Sequence, residues 1–214
     1  MRRILCALAL MALAPAAWAQ DETEPTAAPG SIAEGMIEGA DAQGVFEIVH
    51  NGHVSVRHVG SGMRCDFLRD GSDGRLVLFP GLPRGDNVAC DSHQGSAIVT
   101  FYATRFPFET TLDEQLRAAE AAIRQVSPDA AAYQGPEQEI ASDTLPPHGS
   151  AQFIVTRNGQ RLYTRAAIAL VGAWTIKLRY TAPAADDAAA AAAAETSWRM
   201  FVAKLDEMTA PPAP

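Results

Sequence analysis

Short β-branched and aromatic runs bounded by Asn-Gly, Gly and Pro turn signals, the last of them (AWTIKLRYT) alternating cleanly between apolar and polar positions, predict a β-rich core interrupted by two helices. VFEIVH (45–50) and HVSVRH (53–58) flank Asn51-Gly52, a strong hairpin signal because both central positions of a type I′ turn need positive φ. CDFLR (65–69) and RLVLF (75–79) follow, separated by the turn segment Asp70-Gly71-Ser72-Asp73-Gly74. After the Pro/Gly loop PGLPRGDN, the run SAIVTFYATR (96–105) is β-branched and aromatic, long enough for a central strand. AQFIVTR, Asn158-Gly159, QRLYTRAAIAL, Gly172 and AWTIKLRYT read as a three-stranded antiparallel meander.

The period changes to helical twice. Thr111 and Glu114 form a capping box, Leu112, Leu116, Ala119, Ile123 and Val126 share one helix face, and Ser127-Pro128 ends it. Residues 128–149 read as a long loop, with a short strand or turn around Tyr133 or Glu139-Ile140. The terminal helix is expected from near Pro183 to Met208, with Trp198, Phe201, Val202, Leu205 and Met208 as its buried stripe. The seven alanines Ala188 to Ala194 suit either close approach to the sheet or helix formation with little packing value. The order predicts an α+β domain, an antiparallel sheet with helices packed on it, over residues 45–208.

Outside that span the patterning fails. Residues 20–44 are acidic, rich in Ala, Gly and Pro, and short of β-branched and aromatic residues, so they are expected to be a flexible acidic leader. The tail 209–214, from Thr209, is expected to be disordered for the same reason. Residues 1–19 carry an export-signal pattern: Arg2 and Arg3, the apolar run Ile4 to Leu13, and Ala17-Trp18-Ala19 as a small-x-small cleavage site before Gln20. That run is too short for a hydrocarbon layer of about 30 Å, so no transmembrane anchor is expected after cleavage. Lys177 and Lys204 are the only lysines among 17 basic residues, and alanine is abundant, which suggests a GC-rich, Gram-negative bacterial source and a periplasmic or secreted product. Without Arg2 and Arg3 the chain has 15 basic against 25 acidic residues, which argues against nucleic-acid binding.

Export leaves two cysteines, Cys65 and Cys90. In an oxidising compartment they are expected to form a structural disulfide, worth roughly 3 to 4 kcal/mol for a loop of about 25 residues. Their spacing is unlike the Cys-x-x-Cys of redox pairs.

The early hairpin, the capped helix after a long strand, the meander ending in GAWTIKLRYTAP and the closing helix ending in WRMFVAKL resemble the PsbP-like superfamily, especially its bacterial DcrB-like branch. The resemblance covers about residues 45–208 and rests on pattern. It implies an α/β/α sandwich serving as a noncatalytic accessory or binding module at a membrane face. No family functional residue maps onto this chain, which also lacks the lipid-attachment cysteine of many DcrB-like proteins.

Two constellations carry candidate chemistry. If Asn51-Gly52 is a two-residue turn, His50 and His53 are directly opposed with Cβ atoms about 5 Å apart, a start for a Zn²⁺ or Cu²⁺ site. On the meander, Arg161, Tyr163 and Arg165 share a strand face with Ile154, while Lys177 and Arg179 lie opposite the Trp174, Ile176, Leu178 and Tyr180 row. These basic groups on an acidic chain suit a carboxylate, a phosphate or an acidic partner. Asp70 to Gly74, Arg84-Gly85-Asp86 and Phe106-Pro107-Phe108 are weaker signals for calcium, adhesion and docking. No cofactor is expected, and no hydrolase elbow, zincin, phosphate-loop or dinucleotide motif occurs. The chain therefore reads as an exported binding or accessory domain for an envelope protein or small anionic ligand, with metal binding and an unrecognised hydrolase as alternatives.

Overall fold

The computed structural model describes residues 27–136 and 146–204. The fold is α+β, with three helices on two antiparallel sheets. The small sheet runs β1 (Phe46–Ile48), β2 (Val54–His58), β3 (Arg64–Phe67). The large one contains β4 (Gly74–Leu78), β5 (Asn87–Gln94), β6 (Ala97–Thr104), β7 (Ala131–Ala132), β8 (His148–Arg157), β9 (Gln160–Val171) and β10 (Trp174–Pro183). Its strand order is β4-β5-β6-β10-β9-β8-β7, so the long run at 96–105 does sit near the centre, beside β10.

Three local expectations change. The segment read as a flexible leader contains helix α1 (Pro29–Gly39), which starts with Pro at its first turn and buries Ala33 and Ile37. Ile32, Met36 and Ala40 pack on the same cluster, giving the chain a helical stripe that outweighs the poor propensity of Gly30 and Gly35. β5 occupies a segment not read as a strand, because Asn87, Asp91 and Ser92 resemble turn residues. The last helix, α3 (Asp187–Val202), begins later than expected: Pro183 still pairs with Leu162 in the sheet, and the Asp186 side chain accepts from the Ala189 amide at 3.0 Å. The expected positions Glu139, Ile140, Leu205 and Met208, the 1–19 signal, residues 20–26 of the leader and the 209–214 tail lie outside the described residues.

Helix α2 (Leu112–Val126) has the expected capping box: Thr111 accepts from the Glu114 amide, and the Glu114 carboxylate accepts from the Thr111 amide at 2.8 Å. It seats Ala119 and Ile123 with Leu112 and Leu116 on β8 and β9, while Val126, expected in that stripe, is exposed. On the opposite face of the large sheet lie α3 and the small sheet with α1. Ala190, Ala191 and Ala194 are buried there beside Trp198, Phe201 and Val202, which favours the close-approach reading of the alanine run. Cys65 on β3 and Cys90 on β5 form the expected disulfide, with Cα atoms 6.3 Å apart, and it ties one sheet to the other.

Coverage of the large sheet is thus unequal. Residues 163 to 169 of β9 are buried on both faces, whereas β10 alternates buried and half-buried positions. Among the described helices, none packs on the α2-side face of β4, β5, β6 and β10.

Candidate functional site

The face on which no described helix packs is built by register. Lys177 pairs with Tyr102, Tyr102 with Ala89, and Ala89 with Val77; in the next row Arg179 pairs with Thr100, Thr100 with Asp91, and Asp91 with Arg75. Side chains at paired positions share a face, so this floor carries the cations Lys177 and Arg179, a phenol and a hydroxyl, with the Arg75–Asp91 ion pair at its far end. The Lys177 ammonium lies 4.2 Å from the Tyr102 ring centroid, and Phe79 stacks on the same ring at 6.1 Å. Arg179 Nε donates to Thr164 Oγ1 at 2.8 Å.

Neither cation forms a salt bridge with a described residue, since Asp91 is taken by Arg75 at 2.6 Å. Burial, with the Arg179 charge nearby, holds the Lys177 ammonium below the usual lysine value; burial also lowers Arg179. Burial raises the Tyr102 phenol, keeping it protonated. A desolvated cation beside a like charge is unfavourable until an anion joins it. The floor is therefore suited to receive negative charge.

The other three residues of the expected basic cluster lie elsewhere. Arg165 pairs with Tyr180 and Tyr163 with Ala182, so Arg161, Tyr163 and Arg165 face α3, on the side opposite Lys177 and Arg179. Tyr163 is fully buried and donates to Gln152 Oε1 at 2.7 Å, and its phenol is raised by burial. Arg165 pairs with Glu195 at 2.7 Å in the core, and Arg161 binds Asp187 at the start of α3. They serve the α3 interface.

The histidine pair also loses the geometry proposed for it. The hairpin pairs Ile48 with Val56, and the Val49 amide donates to the Ser55 carbonyl at 3.0 Å, so the same offset sets His50 against Val54 rather than His53. Gly52 alone has positive φ; Asn51 instead accepts from the His53 amide at 3.0 Å in an Asx turn. Both histidines are exposed, and no group of three or more metal-binding side chains occurs among the described residues. Asp73 is a turn anchor, accepting from the Leu68 amide at 2.7 Å and the Ser92 hydroxyl at 3.0 Å.

A histidine not singled out from the sequence occupies the seam between the sheets. His58 is 1% exposed, lies between Phe46 and the edge of Trp174, and accepts at Nδ1 from the Ser61 amide at 3.1 Å. The ring proton therefore sits on Nε2, toward the Gly85 backbone. Alternation placed His58 with Val54 and Val56 on the buried side of β2, which was the readable signal. Burial lowers His58 from 6.5 to about 4, with Arg105 adding to the decrease and Gly85 and Asp86 opposing it.

This makes the fold acid-sensitive. The neutral ring is favoured in the folded state, so its stabilisation is complete above the unfolded value near 6.5 and is lost as pH falls through about 4. Up to about 3 kcal/mol is at stake. Urea denaturation between pH 7.5 and 4 should show a weaker pH dependence in His58→Gln than in wild type; equal slopes would exclude His58 as the cause.

Compared with known proteins, the chain matches no protein-family model and no curated protein.

Proposed function

We propose that this chain is an exported, noncatalytic binding domain of the cell envelope that captures an anionic group on the face of its large sheet where no described helix packs. One observation carries the reading: Lys177 and Arg179 lie side by side on a half-buried floor without a described carboxylate partner. A carboxylate or phosphate would accept hydrogen bonds from both and restore the charge balance. The export-signal pattern and the disulfide support an oxidising compartment, with periplasm or secretion as its location. No helix among the described residues is long and apolar enough to cross a membrane. Membership of the PsbP-like superfamily, with its accessory role at a membrane face, belongs to the same proposal and is supported by the α+β arrangement and the pattern over residues 45–208.

The test separates stability from binding. Lys177→Met keeps the apolar stem and removes the desolvated charge, so it should stabilise the ligand-free protein by about 1 kcal/mol. Lys177→Met/Arg179→Met should bind inorganic phosphate or succinate at least about tenfold more weakly than wild type by isothermal titration. If neither anion binds the wild type, or both bind the double variant equally, the proposed capture site is wrong.

A further inference from the structure

The segment between β6 and α2 and the turn between β9 and β10 enclose an open cavity of about 450 Å³ at one end of the large sheet. Phe106, Phe108, Leu170 and Trp174 supply its apolar walls. Phe106 and Phe108 stack at 5.5 Å with 29° between their planes, and Phe108 is 65% exposed, an unusual position for a large aromatic side chain. Glu109 is the one charged residue among the described lining residues, and it makes no ion pair or hydrogen bond with a described residue. Arg105, the nearest cation in sequence, instead lines the neighbouring cavity of about 200 Å³. It is held to Asp86 at 2.6 Å and lies 5.2 Å over the Trp174 ring.

We infer that this cavity binds a quaternary ammonium group, held against the rings of Phe106 and Phe108 and neutralised by the Glu109 carboxylate, with Trp174, whose ring already carries Arg105, as a side wall. Aromatic faces attract cations through their quadrupoles, and a quaternary ammonium has no N–H donor to satisfy. A primary amine would seek three acceptors, whereas the lining offers one free carboxylate: the Thr110 hydroxyl already accepts from Gln115 Nε2 at 2.8 Å and Thr175 is buried. The volume lies within the range of small-ligand sites. The net charge of -8 adds a long-range attraction for a cation. This site is separate from the Lys177 and Arg179 floor and does not depend on it.

Isothermal titration of the full chain with choline tests the assignment, using 3,3-dimethylbutan-1-ol as its neutral isostere and lysine methyl ester as a primary-amine probe. Choline should bind saturably, at least about tenfold more tightly than either comparison compound. Glu109→Gln and Phe108→Ala, both at exposed positions, should each weaken choline about tenfold without lowering Tm, while Lys177→Met/Arg179→Met leaves it unchanged. Equal binding of the neutral isostere would make the cavity a simple apolar site, and tighter binding of lysine methyl ester would make it an amine site; either overturns the inference. So does the absence of choline binding, or binding that survives both single substitutions.

Discussion

Glu195→Ala should lower the stability of the fold by about 3 to 5 kcal/mol, the range for leaving one buried charge without its partner. Arg165 and Glu195 have side chains only 4% and 3% exposed, so water cannot replace what the substitution removes. Glu195 also accepts from Arg199 Nε at 2.8 Å, while Arg165 Nε has no hydrogen-bond partner among the described residues. The remaining guanidinium would then be almost wholly uncompensated. Domains of this size are stable by only about 5 to 15 kcal/mol, so the loss should be plain in urea denaturation. An apolar replacement of both partners, Arg165→Met/Glu195→Leu, should return stability to within about 1 kcal/mol of wild type, because a buried ion pair repays little more than its own desolvation. A cost below about 1 kcal/mol for Glu195→Ala would show that the α3 interface does not rely on this pair.

Removing the disulfide has the second large effect. Cys65 and Cys90 are separated by 25 positions, and Cys65→Ala/Cys90→Ala should cost about 3 to 4 kcal/mol through the freedom restored to the unfolded chain. Reductant should shift the denaturation midpoint of wild type to that of the double variant and leave the variant unmoved. Alkylation of native protein without reductant, followed by mass spectrometry, should find neither thiol labelled; labelling of both would remove the covalent tie between the sheets.

The strands and helix that could be read directly were those whose local signals agree with their packing. Thr111 and Glu114 fixed the start of α2, and Asn158-Gly159, with φ of 52° and 74°, fixed the β8–β9 hairpin. Failures occurred where composition and tertiary contact disagree. Glycine-rich α1 is a poor helix on its own and gains its support by placing Ala33 and Ile37 against the small sheet. Cys90 lies on β5, whose polar residues suggest a loop, but the strand is held between β4 and β6.

For the sites, parity decided what was legible. Lys177 and Arg179 were correctly placed opposite Ile176, Leu178 and Tyr180. Joining them to Arg161, Tyr163 and Arg165 overlooked the turn at Gly172, which counts Arg165 back onto Tyr180 and so onto the apolar side. The pair of Arg165 with Glu195 was not visible, since no local pattern links residues 30 positions apart. The aromatic cavity was legible in part: Phe106-Pro107-Phe108 stood out as a docking signal, but no local pattern joins it to a distant hairpin end.

Unequal coverage of the large sheet also sets how this protein can diverge over generations. In the middle of β9 both parities are enclosed, Tyr163, Arg165 and Ala167 on one side and Thr164, Ala166 and Ile168 on the other. Drift there should be slow at every position. Along β10 from Ile176 onward only alternate sites are sealed, so descendants can rewrite the Lys177 and Arg179 row, and with it what the surface recognises, without disturbing the layer beneath.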